Sequence, residues 1–458
     1  MSNKSTLYFY GGVETVTGAN FILEDNSSSQ GVKIMVDCGL VQGGESSQKK
    51  NYEKFVYNPS DIDFLIVTHS HMDHIGRIPK LVKDGFKGVI YSTKETREIV
   101  IHMFEDELRL MSFNGEDKDT EPLFMESDIT ETMSLWQDKN YYETFNLGAY
   151  KVAFKDAGHV LGSVMVEIER EGRKIVFTGD LGNSPSPFLR DTDIVNDANY
   201  LVMESVYGDR NHESKETRTG ILKKVIKDSI EKGGTLLIPA FSLERTQIIL
   251  YEINKLVENK EIPSIPVFLD SPLAIKITDI YRAHREEFKD SVQKEVYGGD
   301  DVFDFPNLKL TKSSMDSKEI NTTPNPKVVI AGSGMSYGGR IVNHEKRYLG
   351  DKNNTILFVG YQAGGSLGRQ IQDGKRQISI NNEHVFVRAH IESIMSYSSH
   401  KDSEHLIEFV SNSAETLKKV FVVMGEPKSS LFLAQRLRDY LEVDTVVPSL
   451  GDSVSVEV

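Results

Sequence analysis

The chain has 458 residues, 39% hydrophobic and 26% charged, which is enough for more than one compact core and unlike a disordered or fibrous polypeptide. Its formal charge of −15 excludes a general nucleic-acid coat, because phosphate binding rests on Lys and Arg, and no apolar run approaches the ~20 residues that a membrane-spanning helix needs. The charge is uneven: residues 207–372 hold 24 Lys+Arg against 22 Asp+Glu (+2), which leaves 29 against 46 (−17) elsewhere. A polyanion therefore meets a middle segment far less repulsive than the rest. Residues Met1 to Gly12 lack a basic n-region and an apolar h-region, so a cytoplasmic protein with no membrane partner is expected. Cys38 is the one cysteine; it permits no internal disulfide and reads as a small buried residue.

In chain order, residues 5–12 and 19–24 alternate as strands, and residues 31–39 add another that ends near Asp37. Residues 65–67 are a buried apolar strand that runs into Thr68-His69-Ser70-His71-Met72-Asp73-His74, so three imidazoles and a carboxylate fall within six residues at the strand's carboxyl edge. Imidazole nitrogen and carboxylate oxygen are the donors that suit zinc and neighbouring transition metals. Helical patterns follow at 80–84 and 95–111, a strand at 88–92, and residues 112–145 read as a polar, helical excursion. Strands at 151–157 and 173–178 end at Gly158-His159 and Gly179-Asp180, single candidate ligands flanked by glycines that allow close backbone approach. A strand at 200–203 ends at Glu204.

The character then changes to an α/β alternation with the spacing of a parallel sheet: helices at 216–232, 245–258 and 340–348, and strands at 234–239, 267–269, 328–331 and 356–359. Gly332-Ser333-Gly334-Met335 lies between a strand and a helix, where backbone N–H groups and a hydroxyl can face an anion. From residue 375 the acidic, β-rich character of the start returns, with strands at 383–389 and 420–424 and helices at 402–412 and 429–440.

His69-Ser70-His71-Met72-Asp73-His74 resembles the HxHxDH signature of the metallo-β-lactamase superfamily. Asp37-Cys38-Gly39 resembles its DCG segment, and Glu14 and Asp37 could support the metal loop as outer carboxylates. Residues 238–242, Arg245, Gln247, 270–274, 332–335, 338–340 and 360–362 resemble the β-CASP nucleases of that superfamily, in particular the prokaryotic RNA-processing type. The resemblance implies an αββα sandwich completed by residues 373–458 after a first part, 1–206, with a β-CASP α/β domain inserted over 207–372. It further implies zinc, one or two ions, with manganese as the alternative: His69, His71 and His159 on one ion, Asp180 bridging, Asp73 and His74 on the other. Residues 397–402 resemble the segment that supplies the general acid, here His400, and Glu204 matches the carboxylate that orients it. Ser333, Gly334 and Arg245 are the expected phosphate contacts. Met424 stands where RNA-processing members have a metal-binding histidine, and a thioether is a poor match for zinc, so a weakened second site is expected. The function implied is a metal-dependent phosphodiesterase acting on RNA through zinc-bound hydroxide, with Asp73 and Glu204 assisting. DNA cleavage, or nucleic-acid binding without cleavage, is the alternative, and a homodimer follows from the resemblance alone.

Overall fold

Strands that bury every second side chain can line a core on one face, and strands that bury both faces must be covered twice. The computed structural model describes residues 4–26, 31–43, 45–114, 121–212, 215–362 and 364–458. It divides into two compact units: residues up to Asn211 with His400–Val458, and His212–Ser399.

The first unit has two seven-stranded sheets. One runs in the order Ser453–Val456, Ser5–Gly11, Asn20–Asp25, Lys33–Val36, Phe64–Ile66, Val89–Ser92, Trp136–Asp138. The other runs Thr445–Val446, Lys419–Val422, Tyr200–Met203, Arg173–Phe177, Val164–Arg170, Tyr150–Asp156, Thr144–Leu147. Leu7, Phe9, Phe21, Leu23 and Val36 of the first sheet meet Val152, Phe154, Val166, Ile175 and Phe177 of the second in a dry core. The alternate residues of the first sheet, among them Ile22, Met35, Leu65 and Ile90, pack under helices Ile78–Lys83 and Lys94–Asn114. Val176, Leu201, Met203 and Val422 do the same under helices Ser403–Ser411 and Pro427–Leu441. The result is the expected αββα sandwich.

Two elements differ from the sequence reading. The strand Val164–Arg170 was not expected, yet it is central to the second sheet; Glu167 and Arg170 interrupt its apolar run while being buried themselves, Arg170 on Asp25 at 2.8 Å. The excursion at 112–145 holds one full helix, Glu126–Ser134, but also two edge strands, Trp136–Asp138 beside Val89–Ser92, where the Trp136 indole N–H sits on Ser92 Oγ at 2.8 Å, and Thr144–Leu147 beside Tyr150–Asp156; residues 115–120 lie outside the described ones.

The second unit is a parallel six-stranded sheet in the order Leu308–Leu310, Val267–Leu269, Lys327–Ala331, Thr235–Pro239, Thr355–Val359, His390–Ile394. The last strand lies beyond the expected junction at 372/373. His390–Ile394 pairs along its length with Thr355–Val359, and that pairing holds residues 373–399 in this unit. No helix among the described residues is long and apolar enough to cross a membrane.

Candidate metal centre

In the first unit, Lys33–Val36 and Phe64–Ile66 run parallel and end at Asp37 and the histidine loop, while Arg173–Phe177, Tyr200–Met203 and Lys419–Val422 run parallel and end at Asp180, Glu204 and Met424. Carboxyl ends of parallel strands are where open α/β sheets gather ligands. His69 and His71 are on the loop, and Asp73 and His74 are on a one-turn helix, Met72–Ile75. Gly39 lets this helix sit on the preceding segment, since a Cβ there would lie 1.5 Å from the Asp73 carbonyl oxygen; Cys38 N–H donates to His74 O at 2.8 Å. Gly182 likewise abuts Gly158, tying the His159 loop to the Asp180 loop, where a Cβ would lie 1.8 Å from Gly158 O.

The structure brings His69, His71, His159 and Asp180 together. His69 Nε2 is 3.1 Å from His71 Nδ1, and His159 Nε2 is 3.2 Å from the same atom. Asp180 Oδ2 is 3.4 Å from His69 Nε2 and 3.5 Å from His159 Nε2. Tetrahedral zinc with bonds of about 2.0–2.1 Å holds its ligands about 3.3–3.4 Å apart, close to these four separations, and all four donor atoms lie within 4.8 Å of one another. Burial lowers the pKa of His71 and of His159 well below the ordinary value, which keeps the rings neutral, the form that binds metal; the neighbouring His69 and His400, respectively, add to the effect.

His74 and Asp73 stand beside this group. His74 Nε2 is 3.3 Å from Asp180 Oδ1 and 3.9 Å from Asp73 Oδ2; both His74 Nε2 and Asp180 Oδ1 are buried and make no aligned hydrogen bond among the described residues, so they meet as an ion pair whose atoms a cation could also engage. Burial opposes charge on His74, but the carboxylates of Asp180 and Asp37 outweigh it and raise its pKa well above the ordinary value. Burial also pushes Asp180 up, and the cationic pull of His74, His69 and His400 overcomes it and holds that carboxyl well below the usual range. Asp73 is raised, mainly by burial.

The orienting layer is built from Asp37, whose Oδ1 accepts Thr68 N–H at 2.8 Å and whose Oδ2 accepts Thr68 Oγ and pairs with His74 Nδ1 at 2.8 and 2.7 Å. Thr68 Oγ also reaches His69 Nδ1 at 3.1 Å. Thr68 was missed in the sequence; the signal was a hydroxyl at the end of an apolar strand, one residue before a candidate ligand. Glu14 does not join this layer: it is exposed, and its carboxylate accepts from Ser449 Oγ at 3.2 Å.

His400 begins the returning segment and lies against the same rim. Its Nδ1 is 3.3 Å from Glu204 Oε1, and its ring centroid is 4.7 Å from that of His159. Burial lowers its pKa, but Glu204 and Asp180 outweigh that and raise it to about 9. Glu204 also accepts Leu181 N–H at 2.6 Å. Asp180, Glu204 and His400 each offer a donor atom within 4.8 Å of the others.

Met424 is 2% exposed and belongs to the inter-sheet core; its N–H donates to Gly12 O at 2.6 Å, and a Cβ on Gly12 would lie 2.5 Å from its sulfur. With His74, Asp37 and Glu204 it borders a void of about 10 Å³.

Ser333, Gly334 and Arg245 lie in the second unit, at the carboxyl ends of adjacent strands. Ser333 Oγ donates to Tyr337 O at 2.9 Å and accepts Tyr337 N–H at 2.8 Å, so much of its capacity is spent closing its own loop. Gly334 O accepts the Gln362 amide at 3.0 Å. Arg245 is buried, its guanidinium 3.8 Å from where a Gly360 Cβ would stand and 5.9 Å from the Tyr397 ring. His344 is buried on Asp270.

Three family models match the chain: the metallo-β-lactamase superfamily over residues 22–144, the β-CASP domain over 246–371, and the Zn-dependent metallo-hydrolase RNA specificity domain over 385–448. The chain is 33% identical over 428 residues to "Ribonuclease TTHA0252" of Thermus thermophilus, a match covering 93% of this chain and 95% of that one. It is 28% identical over 454 residues to "RNase J-like protein" of Methanocaldococcus jannaschii (97% and 98% covered), and 29% over 454 residues to "Transcription termination factor FttA" of Methanosarcina mazei (95% and 69%). A crystal structure of a protein of unknown function from Enterococcus faecalis V583 shares the fold, with a TM-score of 0.56 at 14% identity over 99% of this chain and 100% of that one.

Proposed function

We propose a metal-dependent ribonuclease, from the premise that the chain belongs to the β-CASP family of the metallo-β-lactamase superfamily. The observation that carries the reading is the four-cornered donor set of His69, His71, His159 and Asp180, buried and oriented by Thr68, at distances that suit zinc. These residues would hold one ion, with manganese as the alternative to zinc. Asp73 and His74 would share Asp180 with a second, bound more weakly because Met424 turns its side chain into the core. Bound divalent ions supply Lewis acidity, which activates water and neutralises charge growing on phosphoryl oxygens.

The chain's own groups do the rest. Hydrolysis joins a water oxygen to phosphorus and breaks one P–O bond, and the displaced oxygen needs a proton. His400 holds its Nδ1 toward Glu204, which leaves Nε2 as the atom that delivers it. Glu204 is the positioning carboxylate; Asp73 assists on the water side. Ser333, Gly334 and Arg245 would contact a phosphate of the substrate, Ser333 by turning its O–H from Tyr337 O to the phosphate, since a phosphodiester has no proton for the lone pair that the loop leaves over.

RNA is favoured over DNA by the RNA specificity domain match over 385–448 and by the ribonuclease names of full-length relatives. The test is incubation of the purified chain with labelled RNA and DNA of equal sequence, with zinc or manganese and then a chelator. We expect cleavage of RNA, abolished by the chelator. Cleavage of DNA alone would replace this reading with its DNA counterpart, and no cleavage by metal-replete protein would replace it with a binding role. Light scattering on the same sample decides whether the family-based homodimer exists.

A further inference from the structure

We propose a second nucleic-acid contact: a basic groove in the inserted unit that takes the phosphodiester backbone of single-stranded RNA. The groove is a cavity of about 530 Å³ between helices Ser314–Glu319 and Gly339–Tyr348. Lys318, Arg340, Lys346, Arg347 and His344 line it, the remaining lining is serine and asparagine, and no carboxylate is among the lining residues. In a chain with 68 acidic and 53 basic residues that is a marked local inversion. The opening of the groove comes from helical spacing: Arg340, Asn343, His344 and Arg347 recur at i, i+3, i+4 and i+7 and so share one face.

The floor is rigid. Asp270 lies beneath, wholly buried, and pairs with Arg340 Nη1 at 2.6 Å and His344 Nε2 at 2.7 Å; Ser317 and Thr311 hydroxyls donate to it at 2.6 Å each. These bonds fix the Arg340 guanidinium and the Ser317 hydroxyl at the base. At the rim Lys346 is engaged by Glu383 at 2.7 Å, whereas Lys318 and Arg347 are exposed and make no ion pair among the described residues. Two cations without an ion pair, one on each of the helices that border a trough lined otherwise by hydroxyl and amide groups, can each take a phosphate of a strand. Phosphate contacts of this kind position a strand and carry no sequence information, so the binding is expected to be independent of sequence.

The occupant rests on the ribonuclease reading; the groove's preference for phosphate does not. Both can be tested on the full, metal-loaded chain, with a phosphorothioate-linked oligoribonucleotide followed by fluorescence anisotropy over a salt series and with inorganic phosphate followed by calorimetry. The double variants K318E/R347E and K318A/R347A are compared with K232E/K260E, which reverses two exposed lysines elsewhere in the same unit. We expect the groove variants to weaken RNA binding about tenfold and to flatten the salt dependence by about 1.4, roughly 0.7 for each single-strand phosphate that is no longer neutralised, with the control unchanged. Hydrolysis of bis(p-nitrophenyl) phosphate, a diester too small to reach beyond the metal centre, stays as in the wild type. Unaltered affinity and salt slope in both groove variants overturn the proposal. Loss of inorganic phosphate binding with RNA affinity unaltered overturns the RNA assignment in favour of a small-anion site. A wild type that cleaves no RNA, with binding still lost in the groove variants, overturns the ribonuclease reading and leaves the groove standing.

Discussion

Asp180 and Asp270 follow parallel strands at their carboxyl ends, one in each unit, and both are buried, yet the structure treats them in opposite ways. Asp270 is fully hydrogen-bonded: Thr311 and Arg340 occupy one oxygen, Ser317 and His344 the other. Asp180 is surrounded by histidine nitrogens at 3.3–3.5 Å, and its Oδ1 makes no hydrogen bond. A buried carboxylate with every lone pair engaged is a fastening for its neighbours. One that faces imidazoles at ion-pair distance, with an oxygen that makes no aligned hydrogen bond, keeps a lone pair that a divalent ion can take. The pair of aspartates therefore sets a structural network against a candidate site through their different bonding, without reference to any family.

The contrast can be broken most severely at the unpaired side. His159→Ala should reduce metal content to background and abolish RNA cleavage while the circular dichroism spectrum stays native; retention of metal by the variant would remove His159 from the donor set. His400→Ala should slow cleavage by about 10²- to 10⁴-fold, the usual range for loss of a positioned acid, with metal content unchanged. Loss of metal in that variant would instead make His400 a ligand, as its closeness to Asp180 and Glu204 allows.

On the paired side the expected effect is on stability. Asp270→Ala strands His344 and Arg340 and should cost about 3 kcal/mol in denaturant unfolding, the low end for a broken buried pair because the Arg340 side chain keeps 22% exposure. Its pH dependence has a definite sign. Burial raises the Asp270 pKa, but hydrogen bonds from His344, Ser317, Thr311 and Arg340 outweigh that and lower it to about 2. The group is therefore more acidic folded than unfolded, and its stabilisation is present above the unfolded value of ~3.9 and lost as pH falls through about 2. The gap between wild type and variant should close over that window; a gap independent of pH would assign the loss to packing.

The smallest expected effect sharpens the boundary between the two kinds of site. Met424→His places an imidazole beside His74 and Glu204, at a backbone position with φ of 48° that histidine tolerates. Metal stoichiometry should rise toward two ions per chain with the fold unchanged. An unchanged stoichiometry would mean that the inter-sheet core, and not the side chain's chemistry, closes the second position.

The sandwich was legible because its strands carry period-two burial and its candidate metal ligands are rare residues at strand ends. Val164–Arg170 was not, because Glu167 and Arg170 look like surface residues until Asp25, 145 positions before Arg170, is seen to neutralise the arginine. Residues 373–399 read as a return to the first unit by composition, whereas pairing of His390–Ile394 with Thr355–Val359 keeps them in the second. Ser333 read as a free hydroxyl, since nothing local announces the turn that closes on Tyr337.

The donor types, their order and the substitution at Met424 were fixed by the amino-acid sequence itself, because the affinity of imidazole, carboxylate or thioether for a cation is a property of the side chain. Only the folded chain decided that His71 and His159, 88 residues apart, would stand 3.2 Å from each other, and that Asp180 would face imidazoles with one oxygen free of hydrogen bonds while both oxygens of Asp270 were engaged. Such distances depend on sheet register and on where glycines let loops touch, quantities set by the packing of whole layers rather than by any neighbouring residue.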